Sequence, residues 1–143
     1  MSSQSLPETG GDEPVAEPTA EERAILDASF GYARNGSTDA LVTLLSAGLP
    51  VNLTDEKGDT LLILAAYYGN ADTVRALLSH GADANRENDR GQTALSAATF
   101  RCDEEVVRML LDAGADPRVG LVSAFAVAQQ FGLEDFTAIF DEG

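Results

Sequence analysis

Residues 55–85, DEKGDTLLILAAYYGNADTVRALLSHGADAN, decide how this chain folds, because their landmarks return at one spacing on either side. Gly58 recurs as Gly91, Thr60 as Thr93, and Asn52 as Asn85. Gly81 has counterparts at Gly48 and Gly114, and every step is 33 residues. A fixed period of this length marks a stacked solenoid, in which each unit leaves an apolar face for the next to cover. A protein built this way presents a surface and usually has no catalytic pocket.

Within one period the apolar pattern is helical. Leu62, Ile63, Ala65 and Ala66 recur at helical spacing over residues 60–69, and alanine lets neighbouring helices approach closely. Val74, Leu77 and Leu78 stand at i, i+3 and i+4 over residues 71–79, a core stripe. Asp39, Asp72 and the run Asp103-Glu104-Glu105 open the second helices, where each carboxylate offsets the helix dipole by about 0.3–1 kcal/mol. Consecutive acids at a helix start do not surround a calcium ion, which needs ligands spaced around a turn. Gly48, Gly81 and Gly114 follow the second helices, where a left-handed backbone closes a helix.

The full unit resembles an ankyrin repeat. That family's pattern runs Gly-x-Thr-Pro-Leu-His, an Ala pair, Gly, a Leu pair and Gly-Ala-Asp-x-Asn. Gly58, Thr60, Leu62, Ala65, Ala66, Gly69, Leu77, Leu78, Gly81, Ala82, Asp83 and Asn85 match it. The next unit keeps Gly91, Thr93, Leu95, Ala97, Ala98, Leu110, Leu111, Gly114, Ala115 and Asp116. Both units lack the Pro and the His, and in the family that His ties the turn to its neighbours, so looser hairpins are expected. Cys102 replaces the Gly that ends a first helix, and Arg118 stands where Asn85 stood.

Towards both ends the pattern fades. Residues 21–36 and 37–47 read as a first helix pair. Residues 121–131 and 133–140 read as a shortened last pair, after a connection three residues shorter than its counterparts. The resemblance implies an all-α ankyrin-repeat solenoid of antiparallel helix pairs with hairpin-like loops. Four repeats are expected, at 20–52, 53–85, 86–118 and 119–143, the outer two degenerate caps facing water on one side.

Residues 1–19 are rich in Ser, Pro, Gly and Glu, cannot offset their ordering entropy by burial, and read as a disordered tail. They lack the basic start and apolar core of a secretory signal. No apolar run reaches the ~18 residues of a membrane span. The single cysteine, Cys102, suits a reducing compartment, so the cytoplasm is the expected location. Of the acids behind the net charge of −15, only Glu8, Asp12, Glu13 and Glu17 precede residue 20. A field of that sign repels nucleic acid and anionic lipid and favours a partner with a basic surface.

Catalysis finds little support. His80 is the sole histidine, beside a helix-ending Gly where it can meet free carbonyls. Cys102 has no sequence-near base. No HxH, HExxH, GxGxxG or GxxxxGK[ST] motif occurs, so no catalytic residue, cofactor or metal site is assigned and the chain is not expected to be an enzyme. The sequons at Asn35 and Asn52 matter only in a secretory context.

The ankyrin resemblance implies binding through a concave face of hairpin tips and first-helix ends. The corresponding residues are Glu56, Lys57 and Asp59 with Tyr67 and Tyr68, then Asp89, Arg90 and Gln92 with Phe100 and Arg101. Arg34 and Asn35 take the helix-end place upstream, and Gln130 and Phe131 downstream. Tyr and Arg are the residue types that dominate interface hot spots. The expected function is a monomeric protein-interaction module that binds, masks or scaffolds another protein. The alternative is a regulatory subunit or small-ligand-responsive regulator of an enzyme, which would call for a deep pocket or a buried polar cluster between repeats.

Overall fold

The computed structural model describes residues 17–142. Residues 1–16 of the polar tail lie outside the described residues. Its last residue belongs to the first helix instead: the Thr19 hydroxyl accepts the Glu22 N–H, and the Glu22 carboxylate accepts the Thr19 N–H. This reciprocal box satisfies two of the amides that a helix start leaves free.

Eight helices follow among the described residues: α1 (Ala20–Asn35), α2 (Thr38–Ser46), α3 (Leu61–Tyr67), α4 (Ala71–Ser79), α5 (Ala94–Phe100), α6 (Glu104–Asp112), α7 (Ala124–Gln130) and α8 (Glu134–Glu142). They form four pairs. The first helices stack in the order α1, α3, α5, α7, and the second helices α2, α4 and α6 stack behind them. The expected helical solenoid is therefore the observed one. The last pair starts later than its apolar residues imply, because Leu121 and Val122 are spent on the preceding loop and Ser123 caps α7.

Small residues set the spacing. Ala65, Ala98 and Ala128 occupy one repeat position and have no exposed surface. Thr99 stands one period after Ala66 and is equally buried, with its hydroxyl donating to the Leu95 carbonyl at 2.7 Å. Leu41, Leu62, Val74, Leu77, Leu95, Val106 and Leu110 fill the space between the two rows. Burying a side chain of this kind stabilises the fold by roughly 1.5–3 kcal/mol.

Polar bonds tie repeat to repeat. Asn70 donates to the Ala33 and Arg34 carbonyls, closing the end of α1 from the neighbouring unit. The Thr38 and Thr73 hydroxyls meet at 2.7 Å between α2 and α4. Asp103 caps α6 by accepting the Val106 N–H, with Glu104 and Glu105 in the first turn, as the helix-start reading of that acidic run expects. Arg118 ends the series: it pairs with Asp141 at 2.9 Å and lies over the Phe125 ring.

Candidate functional site

The first helices α3, α5 and α7 stop at the same point of the period, and that stop sets out a row of side chains along one edge. Tyr67 ends α3, Phe100 ends α5 and Gln130 ends α7, while Tyr68, Arg101 and Phe131 are the residues that cap them. Chain reversal directly afterwards leaves these side chains no neighbouring turn to bury them. Tyr67, Tyr68, Phe100 and Phe131 are 46–56% exposed. Tyr67 and Tyr68 touch edge to face with centroids 5.1 Å apart, and Phe100 meets Phe131 in the same way at 5.8 Å. Gln130 and Phe131 hold the helix-end place read for them from the sequence. Allowing for the three-residue contraction, Phe131 is in register with Tyr68 and Arg101.

The hairpin tips form the other edge. Asp55 folds the first tip by accepting the Lys57 and Asp59 N–H groups, and Asn88 folds the second by accepting those of Arg90 and Gln92, all at 2.9 Å. The Asn88 amide donates to the Asp59 carboxylate at 2.8 Å and to the Gln92 side chain at 2.9 Å. All four hydrogen-bonding positions of Asn88 are thereby filled. The Asp89 N–H donates to the Lys57 carbonyl, and the Val122 N–H to the Gly91 carbonyl, joining tip to tip. A side chain at Gly91 would meet Leu121 at 2.5 Å, so only glycine permits this approach.

Glu56, Lys57, Asp89, Arg90 and Arg101 are exposed, as the binding-face expectation requires. Asp59 departs from it. Its residue is only 8% exposed and its carboxylate is engaged by Asn88, so it holds the tips together and offers a partner little surface. Gln92 is half-buried beside it.

Between the two edges runs a trough of three connected cavities. The one nearest the N-terminus, about 590 Å³, lies between α1 and the first tip and includes Arg23, Phe30, Arg34 and Lys57. The middle one, about 240 Å³, shares Arg34 and Lys57 with it and adds Tyr67, Tyr68 and Arg90. The third, about 310 Å³, shares Tyr67 and Arg90 with the middle one and is walled by Phe100, Val122, Val127 and Phe131.

A family model described as ankyrin repeats, three copies, matches residues 30–120. The chain belongs to the ankyrin repeat family. A Pseudomonas aeruginosa protein whose name describes it as an ankyrin repeat protein is 46% identical over 59 residues, 41% of this chain and 34% of the relative. The match thus spans about a third of that relative's length. Ankyrin repeats are in general protein–protein interaction modules, and proteins built from them are typically not enzymes.

The missing ankyrin His and Pro have local substitutes here. Ser96, in the position of the His, forms a capping box with Thr93: the Thr93 N–H donates to the Ser96 hydroxyl at 2.8 Å and the Ser96 N–H to the Thr93 hydroxyl at 3.1 Å. In the preceding ankyrin unit Thr60 caps α3 alone, through the Ile63 N–H. The Asp55 and Asn88 turns supply the remaining hairpin bonds. The one buried polar cluster between these tips, Asp59 with Asn88, is spent on its own members. His80 lies on the surface with its Nδ1 at 2.9 Å from the Ala76 carbonyl, a helix-end contact. Among the described residues no group of three or more His, Cys, Asp or Glu side chains is placed to hold a metal ion. No described helix is long and apolar enough to cross a membrane.

Proposed function

We propose that this ankyrin chain binds, masks or scaffolds another protein through the trough between its hairpin tips and its first-helix ends. The observation that carries the reading is the row of half-exposed aromatic rings. An aromatic side chain buries roughly 150–250 Å² when enclosed. Covering the exposed half of one ring, at about 25 cal/mol per Å², is worth about 2.5 kcal/mol. Four such rings along one wall supply the apolar centre of an interface, and the exposed Lys57, Arg90 and Arg101 supply a polar rim. The chain acts as a monomer in this reading, in a reducing cytoplasm where the exposed Cys102 stays a thiol.

Comparative capture tests it. The wild-type chain and a Tyr67→Ala, Phe100→Ala, Phe131→Ala variant of equal melting temperature are used as baits in lysate of the source cell. The reading expects a protein retained by the first and lost by the second. Equal retention by both baits would move the binding surface elsewhere.

A further inference from the structure

The net charge of −15 hides a segregation that bears on what the trough takes. Arg75, Arg86, Arg108 and Arg118 are each held by a carboxylate, and they sit on the second helices, a connecting loop and the C-terminal cap. The other five cations, Arg23, Arg34, Lys57, Arg90 and Arg101, have no carboxylate within ion-pair distance among the described residues. Four of these five line the trough. At its N-terminal end Asp27, Asp55 and Glu56 match Arg23, Arg34 and Lys57 in number. In the middle cavity Arg34, Lys57 and Arg90 face only Asp55 and Asp59, and both of those acids already accept hydrogen bonds inside the hairpins. In the third cavity Arg90 is the sole charged residue, among aromatic and aliphatic walls.

We infer that the trough binds an extended acidic segment of a partner protein, its carboxylates against Arg34, Lys57 and Arg90 and a bulky apolar side chain against the touching rings of Phe100 and Phe131. This rests on the concave-face reading above and names the partner's chemistry. Net charge argues for a basic partner, but that argument weighs distant charges equally with those in contact. At physiological salt a distant charge is screened beyond roughly 8 Å, so the acids of the outer helix row act weakly on a segment lying in the trough. Cations without a competing carboxylate are the groups that gain most from a new one. Helices stacked roughly 8–10 Å apart put α1 and α7 about 27 Å from each other, the reach of about eight extended residues. A nucleic-acid strand fits less well, because its phosphates would continue past three cations into the surrounding acid.

Selection from a random dodecapeptide phage library on the full chain, with anisotropy measurements on the enriched peptides, decides the matter. The expected peptides carry at least two Asp or Glu near an aromatic or large aliphatic residue. Their affinity should fall at least tenfold with Arg34→Gln, Lys57→Gln, Arg90→Gln combined, while the melting temperature holds. Basic or charge-indifferent peptides, no enrichment at all, or equal binding of a twelve-residue oligothymidylate would overturn the inference. Peptides lost with the Tyr67, Phe100 and Phe131 alanine variant yet indifferent to the cations would refute the acidic class and leave the concave-face reading standing. Indifference to both variants would sink that reading as well. An affinity that rises when residues 1–16 are removed would make the occupant the chain's own acidic segment rather than a partner's.

Discussion

The Asn85 side chain accepts the backbone N–H of Asp116, one repeat further on, at 2.7 Å. Its amide also donates to the Gly114 carbonyl at 3.1 Å. Asn52 repeats the first of these bonds to the Asp83 N–H at 2.8 Å, so one residue type clips successive loops together. Asn85→Ala removes two bonds at a partly solvated site and should cost about 1–2 kcal/mol. Urea unfolding should show a lower midpoint with an unchanged slope. A slope that falls would mean the repeats have begun to unfold separately.

Asn88 binds the two hairpin tips more tightly, because it and Asp59 are both buried. Asn88→Ala strands the Asp59 carboxylate and two turn amides, with a cost of about 2–3 kcal/mol. Asp59→Asn keeps an acceptor there and should cost less than about 1 kcal/mol. Equal losses in the two variants would show that the charge on Asp59, and not its hydrogen bond, is what matters.

Cys102 has φ of 59°, the left-handed conformation that glycine takes at the matching Gly36 and Gly69. A non-glycine residue is strained there by roughly 1–2 kcal/mol. Cys102→Gly should therefore raise stability by about 1 kcal/mol, and calorimetry reads it directly. At Gly36 the opposite holds, since a Cβ would come within 2.9 Å of the Asn70 side chain. Gly36→Ala should lower the melting temperature.

In partner binding, Tyr67→Ala should cost more than about 1 kcal/mol, as truncated aromatic anchors do. Phe100 and Phe131 touch, so their alanine variants should not add. A double-mutant cycle is expected to show coupling of about 0.5–1.5 kcal/mol. Strict additivity would mean that the partner separates the rings.

Salt gives a test by sign. An acidic segment must approach through the −15 field, so raising salt from low to physiological should speed its association. A basic partner would associate more slowly over the same range. Stopped-flow measurements at several ionic strengths distinguish the two, and slowing would favour the basic partner.

Much of this protein could be read without coordinates. The 33-residue return of glycines, alanines and leucines determined the helix pairs, their order and the helix-end row holding Tyr67 and Phe100. These are local and periodic properties, and a repeat records them in each unit. Tertiary structure alone decided which polar residues are spent. Asp59 and Asp89 both stand in hairpin tips, yet the first is buried against Asn88 and the second is exposed. Arg75 and Arg90 are the same residue type, but Arg75 meets Asp72 on its own helix and Glu105 on the next, whereas Arg90 lines a cavity whose two acids, Asp55 and Asp59, already accept hydrogen bonds. Whether a charge is paired depends on distances between helices and loops of different repeats. Net charge sums over those distances, and so the sequence could state how acidic the chain is while the fold decided where its free cations would meet.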